Sequence, residues 1–158
     1  MLKISKLADY ATVIMNFLAI RPEQVFSAAE IARQIQVAVP TVSKVLKLLS
    51  EAGLLISARG ASGGYQLSKS AAEISLIEVI TAIDGSPAIT ECSQKHKICS
   101  QESVCAVRHN WRLINQVIMS ALRGLSLADM TKPLTTKDFV AQGLVISKAS
   151  QKFVEQHS

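Results

Sequence analysis

The sequence contains few aromatic residues and no long apolar run. Aromatic side chains make up 4% of its 158 residues and hydrophobic residues make up 49%, so we expect a mainly aliphatic and helical core. No apolar stretch approaches the ~18 residues that a membrane-spanning helix needs, and residues 1–7 lack the uninterrupted apolar core of a signal peptide. We therefore expect a cytoplasmic protein with no membrane partner.

Groupings of catalytic residues are missing as well. No Ser/His/Asp set and no pair of acids suited to general acid–base catalysis stands out. The glycine-rich stretch at 60–64 lacks the lysine and the following helix of a phosphate-binding loop. The sequence thus predicts a protein that is not an enzyme and has no small-molecule substrate.

Acidic residues are fewer than basic ones: the sequence has 12 Asp and Glu against 17 Lys and Arg, which gives a net charge of +5. The positive charge is concentrated: the segment from Arg33 to Lys69 contains five basic residues and a single acid, Glu51. This balance permits an anionic partner but does not identify it.

A pair of short helices indicates what that partner is. Ser27 and Glu30 match a capping box at the start of a helix that runs to about Ile35. A turn at 36–39 precedes Pro40, which suits the start of a second helix that ends near Gly53. The buried face of that helix is predicted to comprise Val42, Val45, Leu46 and Leu49. Two short helices with a polar, basic outer face are typical of a helix-turn-helix.

A glycine-rich hairpin follows. Two short strands are predicted at Leu54–Ser57 and Tyr65–Leu67, and the loop between them carries Arg59 beside several glycines. Such a loop lets the backbone approach DNA closely, and Arg59 suits a narrow, electronegative minor groove. Together with a further capped helix that opens at Ser75 and closes at Gly85, this predicts a winged helix-turn-helix DNA-binding domain over residues 1–85. The fold class is mainly α, with a two-stranded wing plus a long dimerisation helix.

The predicted partner is therefore double-stranded DNA. We expect Lys44 and Lys47 to contact phosphates, while Thr41 and Ser43 lie nearest to base edges. The alternative for either lysine is simple solvation. The full predicted DNA-contacting set is Ser27, Thr41, Ser43, Lys44, Lys47, Arg59, Gly60, Ser62, Gly63 and Tyr65.

Three cysteines follow this domain. Residues 86–104 are predicted to be a loop that holds Cys92 and Cys99, and Cys105 lies at the start of a long helix, four positions before His109. Thiolates and imidazoles are the ligands of zinc and of iron–sulfur clusters, and residues four apart share a helix face. The residues leave several alternatives open: a metal or cluster site, a structural zinc site, a thiol redox switch, or small buried side chains.

The long helix, placed at residues 105–130, carries an apolar stripe. Its members are Trp111, Ile114, Ile118, Ala121 and Leu125. Because this stripe is too apolar to be left in water, we expect a second copy of the chain to cover it in a homodimer. Residues 131–158 are expected to form a polar C-terminal tail, partly without fixed structure.

Three segments together carry a family resemblance. Ser5–Ala11, the wing from Arg59 to Tyr65, and the three-cysteine loop closed by Trp111 resemble the IscR/NsrR family of winged-helix iron–sulfur regulators over roughly residues 1–130. The Arg-His-Asn-Trp run at 108–111 is most similar to the branch that regulates the SUF iron–sulfur assembly operon. The resemblance implies a homodimer on a palindromic operator, one cluster per subunit, and DNA affinity set by the cluster state.

The fourth cluster ligand is left open. IscR-like members have a ligating histidine three residues after the last cysteine, where this chain has Arg108, which cannot ligate; His109 follows it. In NsrR-like members an N-terminal aspartate from the other subunit completes the site, and Asp9 matches it. The predicted ligands are thus Cys92, Cys99, Cys105 and His109, with Asp9 as the alternative to His109, around a cluster that is [2Fe-2S] in preference to [4Fe-4S].

These features predict a regulator, mainly a repressor, that senses iron–sulfur cluster status and controls SUF-type assembly genes. The alternatives are a nitric-oxide- or redox-responsive regulator of the same family and a constitutive DNA-binding protein with a structural zinc site.

Overall fold

The fold was taken from a computed structural model that describes residues 4–58, 60, 63–90, 93 and 105–140. Its elements are the helices α1 (Lys6–Ala19), α2 (Ala28–Ile35) and α3 (Val39–Glu51), the strands β1 (Leu55–Ala58) and β2 (Gly64–Leu67), a 3₁₀ turn (Ala71–Glu73), the helices α4 (Leu76–Asp84) and α5 (Arg108–Gly124), a 3₁₀ turn (Asp129–Thr131), and the helix α6 (Thr136–Val140). This order confirms a mainly α, winged-helix architecture. The two strands form an antiparallel pair.

Helix α1 is the central element of the core. The Ser5 hydroxyl caps it by accepting from the Ala8 N–H at 3.1 Å, and the same hydroxyl donates to the Asp84 carboxylate at 2.6 Å, which ties α1 to the end of α4. One face of α1 is fully buried against α2, α3 and α4. Its buried residues are Ala8, Ala11, Ile14, Met15, Phe17 and Leu18.

The core is aliphatic, as the composition predicts. The four apolar residues expected on the inner face of α3 have no exposed surface, and neither do Ile74 and Val79, which flank the capping box of Ser75 and Glu78. Together with the buried residues of α1 and α2, these side chains form one continuous cluster.

The segment after α5 returns to the winged domain. The Leu76 N–H donates to the Leu125 carbonyl at 2.8 Å, the Leu127 N–H donates to the Ile74 carbonyl at 2.7 Å, and Leu127 has no exposed surface. Leu134 and Phe139 pack against a second cluster of Leu76, Ile80 and Leu125. Parts of both predicted segments, the dimerisation helix at 105–130 and the tail at 131–158, therefore pack on the winged domain. Residues 141–158 lie outside the described part of the chain.

Helix α5 is shorter than expected and has no buried residue. It begins at Arg108 because Cys105–Arg108 forms a turn, in which the Arg108 N–H donates to the Cys105 carbonyl at 3.3 Å. Its exposed apolar side chains are Trp111 (38%), Leu113 (47%), Ile114 (43%) and Val117 (54%). No helix in the described ranges is long and apolar enough to cross a membrane.

Candidate functional site

Reciprocal capping fixes the start of α2. The Ser27 N–H and hydroxyl donate to the Glu30 carboxylate at 2.8 and 2.7 Å, and the Ser27 hydroxyl accepts from the Glu30 N–H at 3.3 Å. The hydrogen bond from the Ser27 side chain, followed by that from its backbone, lowers the pKa of the Glu30 carboxyl. The capping box predicted from the sequence is confirmed, and it holds the helix end in one geometry.

The turn between α2 and α3 depends on one residue in the left-handed region. Gln36 adopts φ 57° and ψ 41°, and the following Val37 N–H donates to the Ala32 carbonyl at 3.1 Å, which closes α2. Helix α3 then begins at Val39, with Pro40 in its first turn. The sequence predicts the turn but not this conformation, because glutamine is not a residue that favours positive φ.

The outer face of α3 is polar and basic. Ser43, Lys44 and Lys47 are exposed and Thr41 is half-buried, on the side opposite the core residues. The Lys47 ammonium lies 3.8 Å from the Glu51 carboxylate, with both side chains more than half exposed. Because such a pair contributes only about 0–1 kcal/mol, it does not keep Lys47 from a phosphate.

The wing is joined to the start of α2 by a third backbone pairing. The Tyr65 N–H donates to the Phe26 carbonyl at 2.8 Å, and the Phe26 N–H donates to the Tyr65 carbonyl at 3.1 Å. A Cβ on Gly64 would lie 2.5 Å from the Phe26 carbonyl carbon and oxygen and 2.9 Å from the Ser27 nitrogen. Glycine is therefore required at 64, and the wing and the N-terminus of α2 form one unit.

A cavity of about 330 Å³ lies between this helix start and the wing. It brings together four predicted DNA-contacting residues, namely Ser27, Gly60, Gly63 and Tyr65. The predicted contacts Arg59 and Ser62 lie outside the described residues. The lining consists of glycines and small side chains, and the Ser27 N–H and hydroxyl within it already donate to the Glu30 carboxylate.

The predicted metal ligands are only partly described. Cys105 is half-buried and lies just before α5 rather than on it, while His109 lies in the first turn of the helix. Both line one cavity of about 310 Å³, so they remain neighbours although they do not share a helix face. Cys92 and Cys99 lie outside the described residues; among those that are described, no group of three or more His, Cys, Asp and Glu residues is arranged to hold a metal ion.

Asp9, the alternative fourth ligand, does not line the cavity of Cys105 and His109. It is exposed on α1 and lines a cavity of about 500 Å³ whose opposite wall includes Leu76, Ile80 and Met130. The two candidate fourth ligands thus line different cavities of one chain.

Comparisons with known proteins extend over most of this chain. A profile of the Rrf2 family, described as iron-dependent transcriptional regulator, matches residues 4–133. The protein rrf2 of Nitratidesulfovibrio vulgaris is 29% identical over 132 residues, which span 83% of this chain and 88% of that protein. The structure of CymR, the global cysteine regulator of B. subtilis, is 30% identical, with a TM-score of 0.68, over 83% of this chain and 97% of that one. T. potens IscR is 29% identical, with a TM-score of 0.61, over 82% and 85%.

Proposed function

The chain belongs to the Rrf2 family of iron-dependent transcriptional regulators, and from this premise we propose that it is a homodimeric repressor whose affinity for a palindromic operator depends on iron–sulfur cluster status. It is a DNA-binding regulator and not an enzyme. The proposed targets are iron–sulfur assembly genes of the SUF type. The observation that carries the proposal is the joint position of Cys105 and His109 on one cavity at the start of α5.

The DNA contacts are proposed for α3 and the wing. The exposed Lys44 and Lys47 would bind phosphates and set the orientation, while Thr41 and Ser43 near the start of α3 would reach base edges. The glycines and small side chains that line the cavity between Ser27 and the wing would let the DNA backbone approach the wing closely. Because neither Thr nor Ser makes a bidentate base contact, discrimination would depend partly on groove shape.

The dimer is proposed to form through α5. Four large apolar side chains on this helix are 38–54% exposed, and no residue of the helix is buried in a single chain. Large apolar side chains grouped along one exposed helix are typical of a surface that binds a partner. Pairing two copies about a twofold axis would cover it and would place two α3 helices against half-sites one DNA turn apart.

The proposed cluster ligands are Cys92, Cys99 and Cys105, completed by His109 or by Asp9 of the partner subunit. Cys105 and His109, the two described ligands, fit an iron–sulfur cluster, because a half-buried thiol and an imidazole that line the same cavity are both ligands that iron accepts. A bound cluster, [2Fe-2S] in preference to [4Fe-4S], would supply a group that iron supply, oxygen or nitric oxide can change.

Helix α5 provides the route from that site to the DNA-binding surface. Its first turn carries His109, and its 17 residues extend about 25 Å to Leu125. There the backbone bonds between Leu125 and Leu76 and between Leu127 and Ile74 fasten the helix to α4 and the core. A rearrangement at the start of α5 would therefore be transmitted to the winged domain, and a cluster that favours one dimer geometry must bind better to that geometry.

One comparison favours a second candidate. The chain is as similar to CymR, described as a cysteine regulator, as it is to IscR. The shared fold therefore does not identify the signal to which this regulator responds. A thiol- or redox-responsive regulator without a cluster is the corresponding alternative, and a structural zinc site with constitutive DNA binding is another. The three closely spaced cysteines followed by His109 are what favours the cluster.

The test is anaerobic purification of the wild type, Cys99→Ser and, as a control in the same segment, Ser93→Ala. We expect iron, acid-labile sulfide and visible absorbance in the wild type and in Ser93→Ala, but not in Cys99→Ser. Fluorescence anisotropy titrations on the operator should show DNA affinity that depends on cluster loading only in the first two. A colourless wild type with stoichiometric zinc would contradict the proposal, and an iron-free wild type whose affinity responds to thiol oxidation would support the redox alternative.

A further inference from the structure

The start of α3 exposes three consecutive apolar residues. Ala38, Val39 and Pro40 are all exposed, and Val39 keeps 44% of its surface open to solvent. Among the described residues, Val39 belongs to neither hydrophobic cluster, whereas Val37 packs against the main one. A run of three exposed apolar side chains is a fault in a folded protein unless it has a function. Val39 is thus available for a contact outside its own chain.

Val39 lies on the face of α3 that is proposed to meet DNA. Because residues four apart share a helix face, Val39 lies about one turn before Ser43 and two turns before Lys47, and both of these are exposed. Side chains of an α-helix tilt toward its N-terminus, so the Val39 methyl groups project toward the start of α3. In a helix-turn-helix the N-terminal residues of the second helix contact base edges in the major groove. An apolar side chain therefore lies where bases would be read.

One base offers a chemical match to such a side chain. Every base pair presents hydrogen-bonding groups in the major groove, but only thymine also presents a methyl group, at C5. Thr41 and Ser43 can exchange hydrogen bonds with several bases, and neither makes the bidentate contact that selects one base. The two methyl groups of Val39 can instead bury the thymine methyl group and exclude water from it.

We propose that Val39 is a specificity-determining residue that recognises the C5-methyl group of one thymine in each half-site of the operator. This inference rests on the proposed function, and it adds direct recognition of a base to discrimination by groove shape. The contact uses no hydrogen bond and no charge, so removal of the methyl group from the DNA and truncation of Val39 should abolish the same interaction.

The experiment begins with a duplex that the wild-type full chain selects from a random-sequence DNA pool under anaerobic conditions. Each thymine of that duplex is then replaced in turn by uracil, which pairs with adenine in the same way but lacks the methyl group. Fluorescence anisotropy should show that the wild type loses affinity about fourfold at one thymine per half-site, which corresponds to ~0.8 kcal/mol for one buried methyl group. Val39→Ala should bind the thymine and uracil duplexes equally at that position, and Val39→Ile should retain the preference for thymine.

Val140→Ala is the matched control. Val140 is a valine with 52% of its surface exposed, and it lies on α6, whose Phe139 packs against the second cluster. This variant should keep the wild-type preference for thymine. The urea unfolding midpoint of Val39→Ala should coincide with that of the wild type, because an exposed side chain outside both clusters contributes little to stability.

Three outcomes would contradict the inference. A wild type that binds every uracil duplex as tightly as its thymine counterpart would overturn it and leave the proposed function standing. Equal losses in the wild type and in Val39→Ala would overturn it as well, since another residue would then recognise the methyl group. A wild type that selects no sequence from the pool would contradict the proposed operator binding together with this inference.

Discussion

Replacing Gly64 by alanine tests whether the wing and the start of α2 form a single unit. The added Cβ would lie 2.5 Å from the Phe26 carbonyl carbon and oxygen, and both are backbone atoms that cannot rotate away. Ordinary contact begins at 3.4 Å, so strand β2 and Phe26 must separate by nearly 1 Å. The two hydrogen bonds between Phe26 and Tyr65, at 2.8 and 3.1 Å, cannot both survive such a separation.

The expected loss of stability has two parts. Overpacking a tight contact typically costs about 1–3 kcal/mol. Each backbone hydrogen bond between Phe26 and Tyr65 contributes about 1 kcal/mol net. We therefore expect Gly64→Ala to lower the free energy of unfolding by about 2–5 kcal/mol. DNA affinity should fall by at least about tenfold, or ~1.4 kcal/mol, because the wing would no longer be held beside Ser27.

The assay is urea unfolding followed by circular dichroism, with operator binding measured in parallel. Gly53→Ala is the control: Gly53 has φ +74° but nothing within 4 Å of its added Cβ, so it should lose only about 1–2 kcal/mol to backbone strain and retain DNA affinity. A Gly64→Ala protein that unfolds within about 0.5 kcal/mol of the wild type and binds DNA equally well would refute the reasoning.

Three further outcomes are expected. Lys47→Ala should weaken binding to all DNA sequences about equally and lower the salt slope by roughly one, as anisotropy at several salt concentrations would reveal; a sequence-selective loss would instead point to base contact. Leu127→Ala should cost about 2–5 kcal/mol in urea unfolding, because Leu127 has no exposed surface, and a loss below 1 kcal/mol would contradict its place in the core. Hydrogen bonds from Ser27 lower the pKa of the Glu30 carboxyl. The stability that these hydrogen bonds contribute to the folded protein is therefore fully present above the ordinary glutamate pKa, and it is lost as pH falls through the lower pKa of the folded state. Nuclear magnetic resonance titration of Glu30 should show its pKa rising in Ser27→Ala, and an unchanged value would count against the capping contact.

Local signals predicted much of the fold. The capping boxes at Ser27 and Ser75 lie where the pattern places them, and the buried face of α3 is the one that its apolar spacing indicates. The strands begin and end within a residue or so of the predicted bounds. These features could be predicted from the sequence because capping and amphipathic spacing act between residues three or four apart.

Other features depend on contacts between distant parts of the chain. The requirement for glycine at 64 arises from Phe26, which is far from it in sequence, and no local pattern reveals that contact. The start of α5 was predicted too early, because an apolar stripe shows that a helix exists but does not locate its first turn without a capping residue. The left-handed conformation of Gln36 likewise had no signal in its residue type.

The amino-acid sequence by itself determined the helix-turn-helix, the wing, the aliphatic core and the basic character of the segment that would meet DNA, since each follows from residue type and short-range spacing. Only the tertiary structure decided that Leu125 and Leu127 fasten α5 to the winged domain and that Asp9 lines a cavity with Ile80 and Met130. The physical reason is that burial and charge environment are set by which elements pack together, and short-range spacing carries no information about a neighbour fifty residues away.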